Sequence, residues 1–197
     1  MCGRYSHSKT EINFARNLSE SRQLSFVKRY NVAPTQLAEI IRAENGGISI
    51  APVRWGLIPS WAKDEKIGYQ CINARLETVK EKPSFRSAFK KRRCLVPADG
   101  FYECQKIGKE KQPMRFVLPD RDIFFFAGLW ESWRKSETET VDSFTIITTA
   151  ANNTVTPVHD RMPFIVSPEH YDAWLDPASA AFESVLQIAT KRYNFIQ

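Results

Sequence analysis

Two short apolar runs, Leu37 to Arg42 and Ile48 to Leu57, flank the tripeptide Asn45-Gly46-Gly47, and that punctuation limits the fold more than any other feature of the chain. Asn-Gly supplies the left-handed backbone that a tight hairpin needs, so the runs read as paired antiparallel strands. Pro52 in the second run fits an edge position or a bulge. The pattern recurs: Met114 to Leu118 and Ile123 to Gly128 read as a second hairpin about Pro119-Asp120-Arg121-Asp122. Cys94 to Pro97, Phe101 to Cys104, Phe144 to Thr149 and Phe164 to Val166 read as further strands. Helical character is expected after Thr10, an N-cap ahead of Ile12, Phe14, Ala15 and Leu18. It is also expected over Pro83 to Arg93, from Pro168 to near Leu175, and over Ala178 to Ala189. With no internal repeat or linker, residues 1–197 read as a single α+β domain, mainly an antiparallel barrel-like sheet with short flanking helices.

A chain of 197 residues, 43% hydrophobic and 25% charged, can bury an ordinary core, which excludes global disorder. No apolar run spans a bilayer and no secretory signal is visible, so no membrane partner is expected and the compartment reads as cytoplasmic, nucleoid-associated in a bacterium. Cys2, Cys71, Cys94 and Cys104 lack CxxC or finger spacing, and there are three histidines. Reduced thiols, no metal and no cofactor are therefore expected. A net charge of +6 suits a polyanion without requiring one.

The chemistry begins at Met1-Cys2-Gly3-Arg4. Cys2 is small enough for the initiator methionine to be removed, which leaves an α-amine and a thiol on adjacent carbons with ordinary pKa values of about 8 and about 8.5. Such a 1,2-aminothiol forms an imine with an aldehyde and closes it to a thiazolidine ring. A cysteine near a frayed terminus is the bland alternative. Tyr30-Asn31-Val32-Ala33-Pro34-Thr35 reads as a shaped loop, and the turn from Trp55 to Trp61 as either a core cap or an apolar face for nucleobases. In Cys71 to Thr78, polar residues interrupt a buried strand, so Asn73 and Arg75 are either internally networked or line a site. Strand alternation sets Glu103 on the same face as Phe101. A lone glutamate is more often salt-bridged than catalytic, and a lone histidine such as His159 more often structural. Together Cys2, Asn73, Glu103 and His159 supply a nucleophile, a hydrogen-bond donor, a carboxyl acid/base and a proton carrier for carbonyl chemistry. The basic cluster Arg86, Lys90, Lys91, Arg92 and Arg93 reads as a solvated helix face and end.

The blocks Cys2-Gly3-Arg4, Tyr30-Asn31-Val32-Ala33-Pro34, Trp55-Gly56-Leu57-Ile58-Pro59, Ile72-Asn73-Ala74-Arg75, Pro97 to Glu103 and His159-Asp160-Arg161-Met162-Pro163 occur in one order. In that order the chain resembles the SRAP family, the SOS-response-associated peptidase-like, abasic-site-processing proteins. The resemblance implies a monomer that binds single-stranded DNA containing an abasic site and traps the ring-opened sugar as a thiazolidine on Cys2. Lyase and self-processing activities are further implications. It also implies that Asn73 orients the amine and sugar, Glu103 shuttles protons, and His159 assists ring opening and reversal. Gly3, Arg4, Asn31, Arg75, Thr149 and Arg161 would contact DNA, with Pro34 and Trp61 against the bases. The family often has Trp where this chain has Cys104, and many members carry a longer C-terminal tail.

Two other classes compete. An N-terminal-nucleophile peptidase or amidohydrolase would turn over amide substrates. A non-catalytic single-strand-binding module would ignore both the lesion and Cys2.

Overall fold

Strand pairing rather than helical periodicity governs the structure of the chain. The computed structural model describes residues 2–17, 20–44, 46–119, 123–179, 185–186, 193 and 195–196. In order, the chain forms β1 (Arg4–His7), β2 (Glu11–Asn17), β3 (Glu20–Ser25), β4 (Arg29–Val32), β5 (Leu37–Glu44), β6 (Gly47–Trp55) and β7 (Asn73–Arg75). Then come α1 (Arg86–Lys91), β8 (Arg93–Ala98), β9 (Gly100–Ile107), β10 (Glu110–Phe116), β11 (Phe124–Arg134), β12 (Thr140–Ala150), β13 (Arg161–Pro163), β14 (Ile165–Val166) and α2 (Tyr171–Leu175).

Five strands close into a barrel in the order β12-β6-β5-β8-β11, with β11 returning to β12. Closure runs through one parallel contact, Ser143 opposite Arg54 and Phe144 opposite Trp55, while the other four pairings are antiparallel. A closed ring exposes no strand edge. Its strands are apolar on both faces because two cores need them. Ile40, Val96, Phe124, Phe126, Phe144 and Ile146 face one core, together with Trp55. Their neighbours Ile41, Leu95, Phe125, Ala127 and Ile147 face the other, where Ala88 and Phe89 of α1 and Trp174 of α2 cover them. Each Phe or Ile so buried contributes about 1.5–3 kcal/mol.

A second sheet, β10-β9-β1-β4, packs Tyr5, Phe101 and Phe116 onto the first of these cores. Arg4 pairs with Tyr102 and Tyr5 with Phe101. This register carries the start of the chain alongside Glu103.

The β5–β6 hairpin follows the sequence reading, with Glu44 opposite Gly47 and Gly46 at φ 77°. Several other expectations change. The segment after Thr10 is not a helix but the hairpin β2–β3, with Ile12 opposite Leu24. Ile12 and Phe14 lie two apart and are both buried, a strand period. Leu18 lies outside the described residues. Tyr30 to Val32 belong to β4, and irregular backbone is confined to the turn where Gln36 N–H bonds the Ala33 carbonyl and Thr35 takes φ 74°. The strands around Pro119 are not a hairpin. β10 pairs with β9, whereas β11, buried on both faces, enters the barrel. The intervening residues 120–122 lie outside the description.

The helix expected over Pro83 to Arg93 shrinks to α1, because Arg93 already starts β8. Arg93 is not a solvated helix end either. It is 3% exposed, and it bonds the carbonyls of Trp174 at 2.6 Å, Phe89 at 3.0 Å and Asp176 at 2.5 Å. Three chain segments are thereby stapled through one guanidinium, and burial lowers its pKa to about 10. The polar residues Ser136 to Glu139 lead into β12, which begins at Thr140. Most of the helix expected over Ala178 to Ala189 lies outside the described residues. Among those described, no helix is long and apolar enough to cross a membrane.

Candidate active site

Cys2 is fully buried at the head of β1, its Sγ 3.8 Å from the Arg4 carbonyl oxygen. Its own carbonyl accepts from Asn73 Nδ2 at 2.9 Å. Asn73 is the first residue of β7, which lies parallel to β12 with Asn73 opposite Ile146. The polar interruption of that buried segment thus has a partner, Cys2. Asn73 Oδ1 is buried with no hydrogen-bond partner among the described residues.

On one side opens a cavity of about 660 Å³ lined by Gly3, Arg4, Asn31, Glu103 and His159, with Tyr30, Tyr102, Cys104, Lys111 and Pro113 completing its wall. A second cavity, of about 420 Å³, is lined by Asn73 and Arg75 together with Cys71, Lys82, Ser84 and Phe85. Arg4 Nη1 bonds Asn31 Oδ1 at 3.0 Å, and Tyr102 donates to the Tyr30 carbonyl at 3.2 Å, so β1, β4 and β9 are tied at the rim.

Burial pushes the Glu103 carboxyl above its ordinary range; nearby positive charge pulls against the shift, and Asp160 adds to it. Burial also raises the Cys2 thiol strongly, and the charge of Glu103 adds to the effect. Both shifts point the same way, since this buried setting favours the protonated form of each group.

Two groups reach His159 Nδ1 at 2.9 Å, the Arg161 backbone N–H and Asp160 Oδ1. They make opposite demands, since a donor needs the nitrogen's lone pair and an ion pair needs its proton. Asp160 is 82% exposed and can turn into water, whereas the Arg161 N–H is set in β13. Nδ1 is the acceptor, and the neutral ring carries its proton on Nε2.

The remaining expected DNA contacts line neither cavity. Trp61 is 58% exposed, with Nε1 3.4 Å from the Pro83 carbonyl oxygen, and Pro34 sits in the turn before Thr35. Gly56 holds the base of the tryptophan turn: at φ 116° it lies so close to Gly68 that a Cβ would come within 2.7 Å of the Gly68 oxygen. Thr149 is buried in β12, and Arg161 is buried with its guanidinium on Glu77. Glu77, Tyr30, Tyr102 and Lys111 were not singled out by the sequence reading. Lys111 and Glu77 are ordinary surface charges there, and only pairing across the chain gives them a place.

A model of the SOS response associated peptidase (SRAP) family matches residues 1–195. The chain belongs to the SRAP family. Among SRAP relatives, abasic site processing protein YoqW of Bacillus subtilis is 48% identical over 149 residues, covering 75% of this chain and 66% of that protein. Abasic site processing protein YedK of Escherichia coli is 30% identical over 181 residues, 89% of this chain and 79% of its own. A crystal structure of a protein from Bordetella bronchiseptica superposes with a TM-score of 0.76 at 26% identity, covering 94% of this chain and 93% of that one. The α+β SRAP fold expected from the sequence is therefore the fold observed. The chain spans slightly less than two thirds of the length of YoqW.

Proposed function

We propose that this protein processes abasic sites in single-stranded DNA by forming a covalent thiazolidine between Cys2 and the aldehyde of the opened sugar. The observation that carries the reading is the grip of Asn73 on the Cys2 carbonyl, which holds a terminal aminothiol beside a cavity bearing Glu103 and His159.

Removal of Met1 exposes the Cys2 amine. His159, through its Nε2 proton, assists opening of the sugar ring. The amine adds to C1′ of the aldehyde, and the carbinolamine loses water to an imine, with Glu103 delivering the proton that makes the oxygen a leaving group. The Cys2 sulfur then bonds to C1′. The C=N π electrons return to nitrogen, which takes up a proton, while the thiol proton passes to the carboxylate. The sum is aldehyde plus aminothiol giving thiazolidine plus one water. Asn73 Oδ1 is available to accept from the exposed amine and aim it. Arg4 and Arg75, both exposed, hold flanking phosphates, while Pro34 and Trp61 rest against bases. Every group named comes from one chain, so a monomer suffices.

The test is denaturing electrophoresis after incubation with abasic single-stranded DNA, which should give a stable shifted band from the Met1-processed protein. A form that retains Met1 should bind the DNA but give no such band, because the Cys2 nitrogen is then an amide whose lone pair is delocalised. Cys2→Ser, processed, should be trapped only with borohydride, since its imine cannot close a stable sulfur ring. Equal crosslinking by processed and unprocessed forms would sink the aminothiol mechanism.

A further inference from the structure

The turn that opens α1 starts at Lys82, whose carbonyl accepts from the Arg86 N–H at 2.9 Å. Lys82, Arg86 and Lys90 follow one another at intervals of four residues, so they form one stripe that rises about 6 Å at each step. All three are exposed, and among the described residues none of them makes an ion pair. Arg92, by contrast, meets Glu131 at 2.5 Å. Glu81 precedes the stripe, but no Asp or Glu occurs between residues 82 and 93.

Local helix physics does not account for these charges. Cations in the last turn, Lys90 among them, suit the macrodipole. Lys82 and Arg86 stand at the opposite end, where no acidic residue in the first turn offsets them. Like charges four residues apart also repel. A bound polyanion relieves both.

The stripe begins at the candidate site. Lys82 lines the second cavity together with Ser84, Phe85, Arg75 and Asn73, and Asn73 holds the Cys2 carbonyl. Beside Lys82, the Pro83 carbonyl oxygen is 3.4 Å from Nε1 of the exposed Trp61. An aromatic face next to a row of cations is the combination that holds single strands, bases on the ring and phosphates on the charges. Insertion into a lipid surface needs exposed apolar side chains, and no large one between residues 82 and 93 is exposed.

We propose that Lys82, Arg86 and Lys90 are a phosphate track for the DNA strand on one side of the lesion, which leaves the second cavity past Trp61 and runs along α1. The proposal rests on the function proposed above. A strand leaves the lesion in two directions, and one track serves only one of them.

The first arm of the test needs no covalent chemistry. Affinity for long undamaged single-stranded DNA is measured against salt by fluorescence anisotropy. Lys82→Gln, Arg86→Gln and Lys90→Gln should each lower the slope of log K against log salt by about 0.7, the single-strand value per phosphate, and the triple variant by about 2. Lys109→Gln removes the same charge from the turn between β9 and β10 and should leave the slope as it is. An unchanged slope in the triple variant, or an equal drop in Lys109→Gln, overturns the proposal. So does a triple variant that loses binding to anionic vesicles while keeping its DNA slope, since the stripe would then be a lipid surface. The replaced side chains are exposed, so melting temperatures should match and confirm that the fold is intact.

The second arm uses a short abasic strand lengthened on one side or on the other. At low salt the triple variant should form the adduct about tenfold more slowly on one of the two lengthened strands, because steering along the track is lost. On the other lengthened strand and on the short one it should keep pace with the unaltered protein. Equal slowing on both lengthened strands, or slowing on the short one, would mean a diffuse field or a contact at the lesion, and overturns the track. Failure of the unaltered protein to form any adduct would overturn the proposed function instead, and the salt slopes would still decide the track.

Discussion

Asn73 Nδ2 lies 2.9 Å from the carbonyl oxygen of Cys2, a contact between residues 71 apart in the chain. It joins Cys2 to a strand that pairs with the barrel. The position of Cys2 is thereby referred to the closed barrel.

Asn73→Ala should separate placement from binding. The Cys2 carbonyl would lose its donor in a buried setting, at a cost of about 1–3 kcal/mol. Adduct formation should slow at least about tenfold, with affinity for undamaged single-stranded DNA little changed, because aiming the nucleophile is worth that much. Thermal unfolding and a crosslinking time course check the two parts. An unchanged time course would remove Asn73 from the reaction.

Glu103→Gln should trade stability against rate. Burial raises the Glu103 pKa in the folded protein, so folding favours the protonated carboxyl. That preference is fully present below the ordinary glutamate value of about 4.3 and is lost as pH rises through the folded value. Above it the folded state holds a carboxylate it disfavours. The variant should therefore melt higher than the unaltered protein at pH 7, with the gap closing as pH falls below about 4. Adduct formation should slow about a hundredfold, as loss of a working acid/base does. A lower melting point at pH 7 would show that the ionised carboxyl is stabilising.

His7 should give the fold an acid sensitivity of its own. Its ring is 4% exposed and packs on Phe26 with centroids 5.0 Å apart, and neither ring nitrogen has a hydrogen-bond partner among the described residues. Burial lowers its pKa, and the charge of Asp99 opposes this only in part. The unfolded chain takes up the proton first, so stability is complete above about pH 6.5 and declines as pH falls through the unfolded value. Melting temperatures between pH 7.5 and pH 5 should fall more steeply for the unaltered protein than for His7→Phe. Parallel curves would mean that His7 finds a partner when protonated.

Local chemistry was legible wherever it is carried by neighbours in the chain. Asn45-Gly46-Gly47 announces its hairpin because a two-residue turn needs left-handed backbone. Glu103 stands out because alternation alone puts it on the face of Phe101, and both are buried. The segment after Thr10 was misread because apolar residues at 12, 14, 15 and 18 satisfy two periods at once, and only the pairing of Ile12 with Leu24 selects the strand. The second hairpin was misread because turn residues show that the chain reverses, not which strand it then meets. β11 is apolar on both faces and therefore sought the barrel.

By itself the sequence determined a cysteine at position 2, the first hairpin and the order of blocks that marks the SRAP family. These depend on residue identity and short spacing. Tertiary structure decided that β12 closes a barrel against β6 through a parallel contact and that Arg93 is a buried staple. It also decided that Arg161 faces Glu77, 84 residues away, and which nitrogen of His159 accepts a proton donor. A guanidinium reads the same in a sequence whether it meets water, a phosphate or a carboxylate. Which of them it meets follows only from what packing brings beside it.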